Sequence, residues 1–249
     1  MNIDDKSHER KSVRMKVNTE TLVVQTQERL SRALKRRYQY ESNLKPAQEF
    51  LLNYVNSKIP LVIMYADLVG STNMSMTLPI DKMVTIIRAF SFEMSYVIYS
   101  YEGYVLKYVG DAVIAFFPYL SDRSTVYNRA IECAKSMISV IRTGISPILN
   151  QYDYPKLRVK IGLDDGEGVI IQYGHDKSSL IDILGYCMNK SAKITSLTKP
   201  NKITIGENVY NLLCNQEKIN FKEILFSIEQ WKYINMQTEQ LSKLYTSID

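Results

Sequence analysis

Residues 59–72 read IPLVIMYADLVGST. The first eight are a short, nearly continuous apolar run, the pattern of a strand, and Asp67 through Thr72 supply turn and helix-start residues. The stretch predicts a strand that ends on a carboxylate and hands over to a helix. Downstream, Ile80, Met83, Val84, Ile87, Phe90, Met94, Val97 and Ile98 recur at helical spacing, predicting a long amphipathic helix with its apolar stripe on a sheet.

YVLKYV and AVIAFF follow, separated by Gly110 and Asp111, which predicts a tight hairpin. A second helix is expected from about Ser124 to Ile145. LRVKIGL and GVIIQYG read as another strand pair turning around Asp164, Asp165 and Gly166. A short DILG strand, a helix over 187–198 and a KITI strand complete the alternation. The order β, α, β, β, α, β predicts an α+β fold with a ferredoxin-like βαββαβ core, helices packed on one face of a mainly antiparallel sheet.

The flanks carry less information. Residues 1–58 are expected to be a polar tail to about residue 19, then interrupted helices over 20–55 broken near Pro46. The basic cluster Lys35, Arg36 and Arg37 reads as a solvated helical face. The domain proper is placed at 59–214. Residues 215–249, with the lone Trp231, are expected to pack on it as a C-terminal extension.

Composition bounds the function classes. Of 249 residues 45% are apolar and 23% charged, enough for a buried core, and the formal net charge of +5 suits a small polyanion without requiring nucleic acid. Cys133, Cys187 and Cys214 are far apart and form no CxxC pair, which fits a reducing compartment. No apolar run approaches the roughly 18 residues of a membrane span, and residues 1–16 lack the apolar stretch of a signal peptide. A cytoplasmic protein is the expectation. There is no GxxxxGK[ST] loop, no GxGxxG after a strand and no GxSxG elbow, and His8 and His175 offer little for a zinc site or a triad.

A right-handed crossover from the first strand through the helix leaves the first two strands pointing the same way, so their C-terminal ends share one edge. Asp67 ends the first strand and Asp111 sits at the hairpin tip that ends the second. Two such carboxylates are a site for hard divalent cations, Mg2+ or Mn2+, and can bridge a pair of ions about 4 Å apart. Gly70 lets the backbone approach a ligand, and amides at the helix start around Ser71 and Thr72 can face a phosphate.

On these residues the chain resembles the class III nucleotidyl cyclases, the adenylate and guanylate cyclase catalytic domains, from about Ile59 to Leu213. YADLVGST is similar to the family's first metal motif, GYVLKYVGDAVIAFF to its second, VKIGLDDGEGVI to a sheet segment and DILGYCMNKSAK to its distal catalytic helix. The resemblance implies that Asp67, the adjoining Leu68 and Asp111 bind two divalent ions, and that the ribose 3′-hydroxyl attacks its own α-phosphorus with loss of pyrophosphate. It implies Lys107 and Asp182 as the base-reading pair, a combination that reads adenine, so ATP is the expected substrate and cyclic AMP the product. Asn189 is implied to orient the ribose. Lys193 stands where the family places an arginine on the pentavalent phosphorus; it keeps the charge but lacks the planar fork. Tyr186 departs from an aspartate common at its position, and Lys202 is implied to reach the terminal phosphate. The family builds each site from two chains, which implies a homodimer with two equivalent sites. Two alternatives accompany this reading: a pyrimidine cyclase of anti-phage signalling, suggested by Tyr65 near the base pocket, and a catalytically silent nucleotide-binding module, suggested by Lys193 and Tyr186.

Overall fold

The computed structural model describes residues 17–35, 44–119, 123–176, 179–235 and 238–248. In chain order the elements are α1 (Thr19–Lys35), α2 (Lys45–Leu52), β1 (Lys58–Leu68), α3 (Ser71–Thr77), α4 (Ile80–Ser100), β2 (Tyr104–Val109), β3 (Ala112–Pro118), α5 (Arg123–Ser139), a π-helical turn (Val140–Ile145), α6 (Ser146–Asn150), β4 (Val159–Gln172), β5 (Ile181–Leu184), α7 (Tyr186–Leu197), β6 (Ile203–Gly206), α8 (Glu207–Leu212), α9 (Asn215–Lys218), β7 (Phe221–Ile224) and β8 (Leu244–Ser247). The fold is α+β. Most of the expected polar tail, with His8, lies outside the described residues, as do Arg36 and Arg37.

The sheet runs β2-β3-β1-β4-β6-β8-β7, with β5 added to β4. β1 is antiparallel to both β3 and β4, and β2 is antiparallel to β3, so β1 and β2 point the same way as the crossover argument requires. β4 and β6 are parallel. The C-terminal segment enters this sheet rather than lying against it, because β8 pairs with β6 and β7 with β8.

β1 is apolar at nearly every position because both of its faces are covered. Val62, Met64, Ala66 and Leu68 join Phe90 and Met94 of α4 and Ala130 and Ile131 of α5. The alternate residues Ile59, Leu61 and Ile63 join Ala47 and Leu51 of α2 and Cys187 and Met188 of α7. The expectation of helices on one face is therefore corrected: α2 and α7 cover part of the second. α1 is fastened to α4 by Arg29, 2.5 Å from the buried Glu93, with Thr26 donating to the same carboxylate at 2.8 Å. Pro46 starts α2 rather than breaking a helix, since its missing N–H falls where a first turn needs none.

Two further expectations change. The helix from 124 continues past Ser139 through the π-helical turn into α6, where Pro147 lacks the N–H that would close onto Thr143. Gln27 of α1 donates to the Thr143 carbonyl instead, at 2.8 Å. The strand pair expected around Asp164–Gly166 is one continuous strand, β4, paired with β1 from Val169 opposite Lys58 to Val159 opposite Leu68. Asp164 and Asp165 stand opposite Ile63 and Val62 and do not turn.

Candidate active site

Asp67, the penultimate residue of β1, lies beside Ala112 on one side and Lys160 on the other. Asp111 immediately precedes Ala112, in the two-residue turn whose first residue, Gly110, has φ 59°. Gly is suited to that left-handed position. The two carboxylates converge as the topology predicts. Burial raises the Asp67 carboxyl above its ordinary value; Lys160, 2.9 Å away, opposes that rise, and the neighbouring Asp111 adds to it. Oδ2 of Asp111 is buried without a hydrogen-bond partner among the described residues.

A cleft of about 380 Å³ opens beside this pair, lined by Ser71, Thr72 and Ser75 of α3, Met83 and Ile87 of α4, and Gly110 and Asp111. Gly70, at φ 79°, turns the chain from β1 into α3, and space around it is open enough that an added Cβ would meet nothing within 4 Å. The side chain of Leu68 is buried in the core, so its carbonyl is the group it can offer a cation. An orphaned carboxylate oxygen beside a second, partly buried carboxylate fits a hard divalent ion. The described residues contain no cluster of three or more His, Cys, Asp or Glu that could hold a metal. Six or more oxygens surround such an ion, so ligands beyond these two side chains must come from substrate or water.

The base-reading candidates meet. Lys107 and Asp182 form an ion pair, with Asp182 buried and its other oxygen accepting the Ile183 N–H at 2.8 Å. The hairpin register makes this possible: from the turn back, Val109 opposes Ala112, Tyr108 opposes Val113 and Lys107 opposes Ile114. Val105 pairs with Ala115, so Leu106 is an extra residue, taken up in a β-bulge, and shares a face with Lys107. Lys107, Ile114, Tyr65 and Gly162 form one row across the sheet. Tyr65 is half-buried, its hydroxyl pushed up to about 12 by burial and then by Asp182 and Cys187, so it stays neutral next to the ion pair.

α7 carries Asn189, exposed, and Lys193, half-buried, one turn apart on one side of the helix. Its other side is tied down by groups that sequence reasoning missed. Lys190 and Asp164 form a buried ion pair at 2.9 Å, and burial lifts the Asp164 carboxyl to about 7 in spite of that partner. Ser191 donates to the Ile63 carbonyl at 3.3 Å. Gly162 lies so close to α7 that an added Cβ would sit 2.3 Å from Thr195 Oγ1. Tyr186 uses its hydroxyl to accept the Ile234 N–H at 3.1 Å and packs against Tyr233, anchoring the C-terminal segment. Lys202 lies apart from the cleft: its ammonium donates to the Ile248 carbonyl at 2.6 Å and lines a different cavity. Lys160 was also missed. The signal for it is the β1–β4 register, which no local pattern reveals.

A family model described as the adenylate and guanylate cyclase catalytic domain matches residues 54–245. The chain is 24% identical to a cytidylate cyclase of Staphylococcus aureus over 60% of its length, and 27% identical to one of Escherichia coli over 70%. It spans only 36% and 40% of those two relatives. A uridylate cyclase of Burkholderia cepacia is 27% identical over 75% of the chain and 80% of the relative. Among solved structures the fold is like that of the guanylyl cyclase Cya2, with TM-score 0.64, 19% identity and coverage of 78% of this chain and 93% of that one. The adenylyl cyclase CyaB from P. aeruginosa gives 0.60 and 21%, covering 78% and 95%. No helix of the described residues is long and apolar enough to cross a membrane.

Proposed function

Because the chain belongs to the adenylate and guanylate cyclase catalytic-domain family, we propose that it closes a nucleoside triphosphate into its 3′,5′-cyclic monophosphate with release of pyrophosphate, and that a pyrimidine is the preferred base. The observation that carries the cyclase reading is the convergence of Asp67 and Asp111 beside a cleft, with one buried oxygen unpartnered. Asp67, Asp111 and the Leu68 carbonyl would hold two divalent ions, Mg2+ or Mn2+, which when bound make the 3′-hydroxyl more acidic and offset the phosphate charge.

The remaining work falls to the chain. Ser71 and Thr72 line the cleft where phosphates would lie, and Gly70 leads the chain from β1 into them. Lys160 adds a positive charge next to Asp67. Asn189 orients the ribose, and Lys193 faces the phosphoryl oxygens with a compact charge in place of a fork. Lys202 would reach the phosphates only on leaving the Ile248 carbonyl. No covalent intermediate is needed: the 3′-oxygen forms the bond to the α-phosphorus as the bond to pyrophosphate breaks. Asn189 and Lys193 stand on the outward side of α7, which supports a homodimer whose two sites each combine the carboxylates of one protomer with the α7 and base-reading groups of its partner.

For the base, Lys107 donates and Asp182 accepts. That pair complements an edge presenting an amine beside a ring nitrogen, which cytosine and adenine share. Tyr65 sits in the same row and narrows the space, and curated relatives carry cytidylate and uridylate cyclase names. These favour a pyrimidine. ATP is the second reading, carried by the same Lys107–Asp182 pair. A chromatographic assay of all four triphosphates with Mn2+, run across protein concentration, tests both. Cyclic CMP or cyclic UMP as main product, with specific activity falling on dilution, supports the proposal. Mainly cyclic AMP selects the second reading, and no cyclic product from any nucleotide rejects the cyclase.

A further inference from the structure

We propose that the buried Asp164–Lys190 pair is a positioning pair for the cyclisation: it fixes the roll of α7 about its own axis and so aims Asn189 and Lys193 at the substrate. This role rests on the chain being a cyclase, and both residues act through α7 rather than on the nucleotide.

Gly162, Asp164 and Gly166 are alternate residues of β4 and share the face that meets α7. At either end the fit is close to the backbone: an added Cβ at Gly162 would clash with Thr195, and one at Gly166 would sit 3.1 Å from the Cys187 Cβ. Between the two glycines stands the Asp164 carboxylate, 2.9 Å from the Lys190 ammonium, with side-chain exposures of 0% and 4%. Gly206 of β6 leaves room for it, since a Cβ there would collide with Asp164 Oδ1. The ammonium also donates to Ser242 Oγ at 3.4 Å, so the same group ties α7 to the C-terminal segment.

Stability does not account for such a pair. Taking both charges out of water costs about what their attraction returns, and an apolar pair of like volume is often as stable or more so. What the ions add is direction. The other α7 side chains that meet β1 and β4 here are small, and the bond from Ser191 to the Ile63 carbonyl is long at 3.3 Å, so they resist roll weakly. Asn189 precedes Lys190 and Lys193 follows three residues later, so a roll that parts the ions carries both away. At roughly 5–6 Å from a helix axis, a roll of about 10° moves a group by about 1 Å. A misplacement of that size can cost about a hundredfold in rate.

The test is Asp164→Leu/Lys190→Met in the full chain, which keeps volume and removes both charges together. It is assayed with the nucleotide that the wild type cyclises, at a protein concentration where specific activity has reached its plateau. Melting temperature should stay at or above the wild-type value, and kcat should fall by about tenfold or more. KM, and the affinity for the unreactive α,β-methylene analogue of that nucleotide, should change by less than about threefold, because the metal carboxylates and the base-reading pair are untouched. If the double variant does not fold, Lys190→Met decides alone: losing its cation raises the Asp164 carboxyl further, and it takes a proton instead of standing charged. Wild-type kcat in the folded variant overturns the positioning role, and so does analogue affinity lost in step with kcat, which marks a general distortion of the site. A wild type that cyclises no nucleotide removes the cyclase reading itself, whereas a wild type that cyclises beside a variant of unchanged kcat removes only the role of this pair.

Discussion

Lys160 lies directly across the β1–β4 ladder from Asp67 and holds its ammonium 2.9 Å from the carboxylate. The pair is about three-quarters buried, at 24% and 25% side-chain exposure, so solvent screens it only in part. A lysine from the neighbouring strand thus balances a carboxylate that would otherwise face Asp111 alone.

Removing that lysine should move the acid limb of activity. Asp67 must lose its proton to take a cation, so kcat/KM should rise with pH through its pKa. Lys160 lowers that pKa against burial and Asp111. Lys160→Ala should therefore shift the limb to higher pH, and Lys160→Arg should restore it. Profiles measured between about pH 5 and 8 decide, and coincident limbs would reject the role.

Asp111→Asn should cost about a hundred- to a thousandfold in kcat while leaving the fold intact. Its buried Oδ2 makes no hydrogen bond among the described residues, and neutralising it removes repulsion with Asp67. Unfolding free energy should stay within about 1 kcal/mol of wild type or rise. Wild-type turnover in the variant contradicts the metal role.

Tyr65→Ala should open the base pocket. The ratio of kcat/KM for pyrimidine over purine triphosphates should fall by about tenfold or more, because size discrimination by one side chain is of that order. Lys107 and Asp182 are unchanged in this variant, so recognition of the amino edge persists. An unchanged ratio would show that Tyr65 only packs.

Gly162→Ala should destabilise the protein by about 1–3 kcal/mol, since the new methyl group would sit 2.3 Å from Thr195 Oγ1 and 2.6 Å from its backbone nitrogen. The relief is to push α7 outward, carrying Asn189 and Lys193 with it. Urea titration should show the loss, and kcat should fall more than KM rises.

Asp164 sets a stability trend with pH. Its folded pKa of about 7 is above the ordinary 3.8, so the stability it adds is whole below the lower value and is lost as pH climbs through the higher. Asp164→Asn does not ionise and lacks that decline. The wild-type advantage in melting temperature should shrink between about pH 4 and 7. An advantage that is constant or grows with pH refutes the assignment.

Elements whose signals are local were legible from sequence. The apolar run ending at Asp67, the Gly110–Asp111 turn and the spacing of α4 each identify themselves within a few residues, and two carboxylates at one edge follow from crossover handedness alone. β4 was not legible because Asp164-Asp165-Gly166 has a turn's composition. Distant partners override it: Tyr127 donates to Asp165 at 2.7 Å, and Lys190 neutralises Asp164. The covering of both sheet faces was missed for a related reason, since an apolar run does not say which of its residues meet which helix. Lys160 looks like any exposed strand lysine until the register sets it against Asp67.

The direction of the Lys107 ammonium is counted off from the hairpin turn, because Val109 opposes Ala112, Tyr108 opposes Val113 and Lys107 opposes Ile114 without a break. The extra residue at Leu106 is absorbed upstream, so losing one residue there would leave the lysine facing as it does, whereas one residue gained or lost between Lys107 and Gly110 would turn it to the opposite face. The same two-residue turn that carries Asp111 is thus the ruler by which the base-reading lysine is aimed.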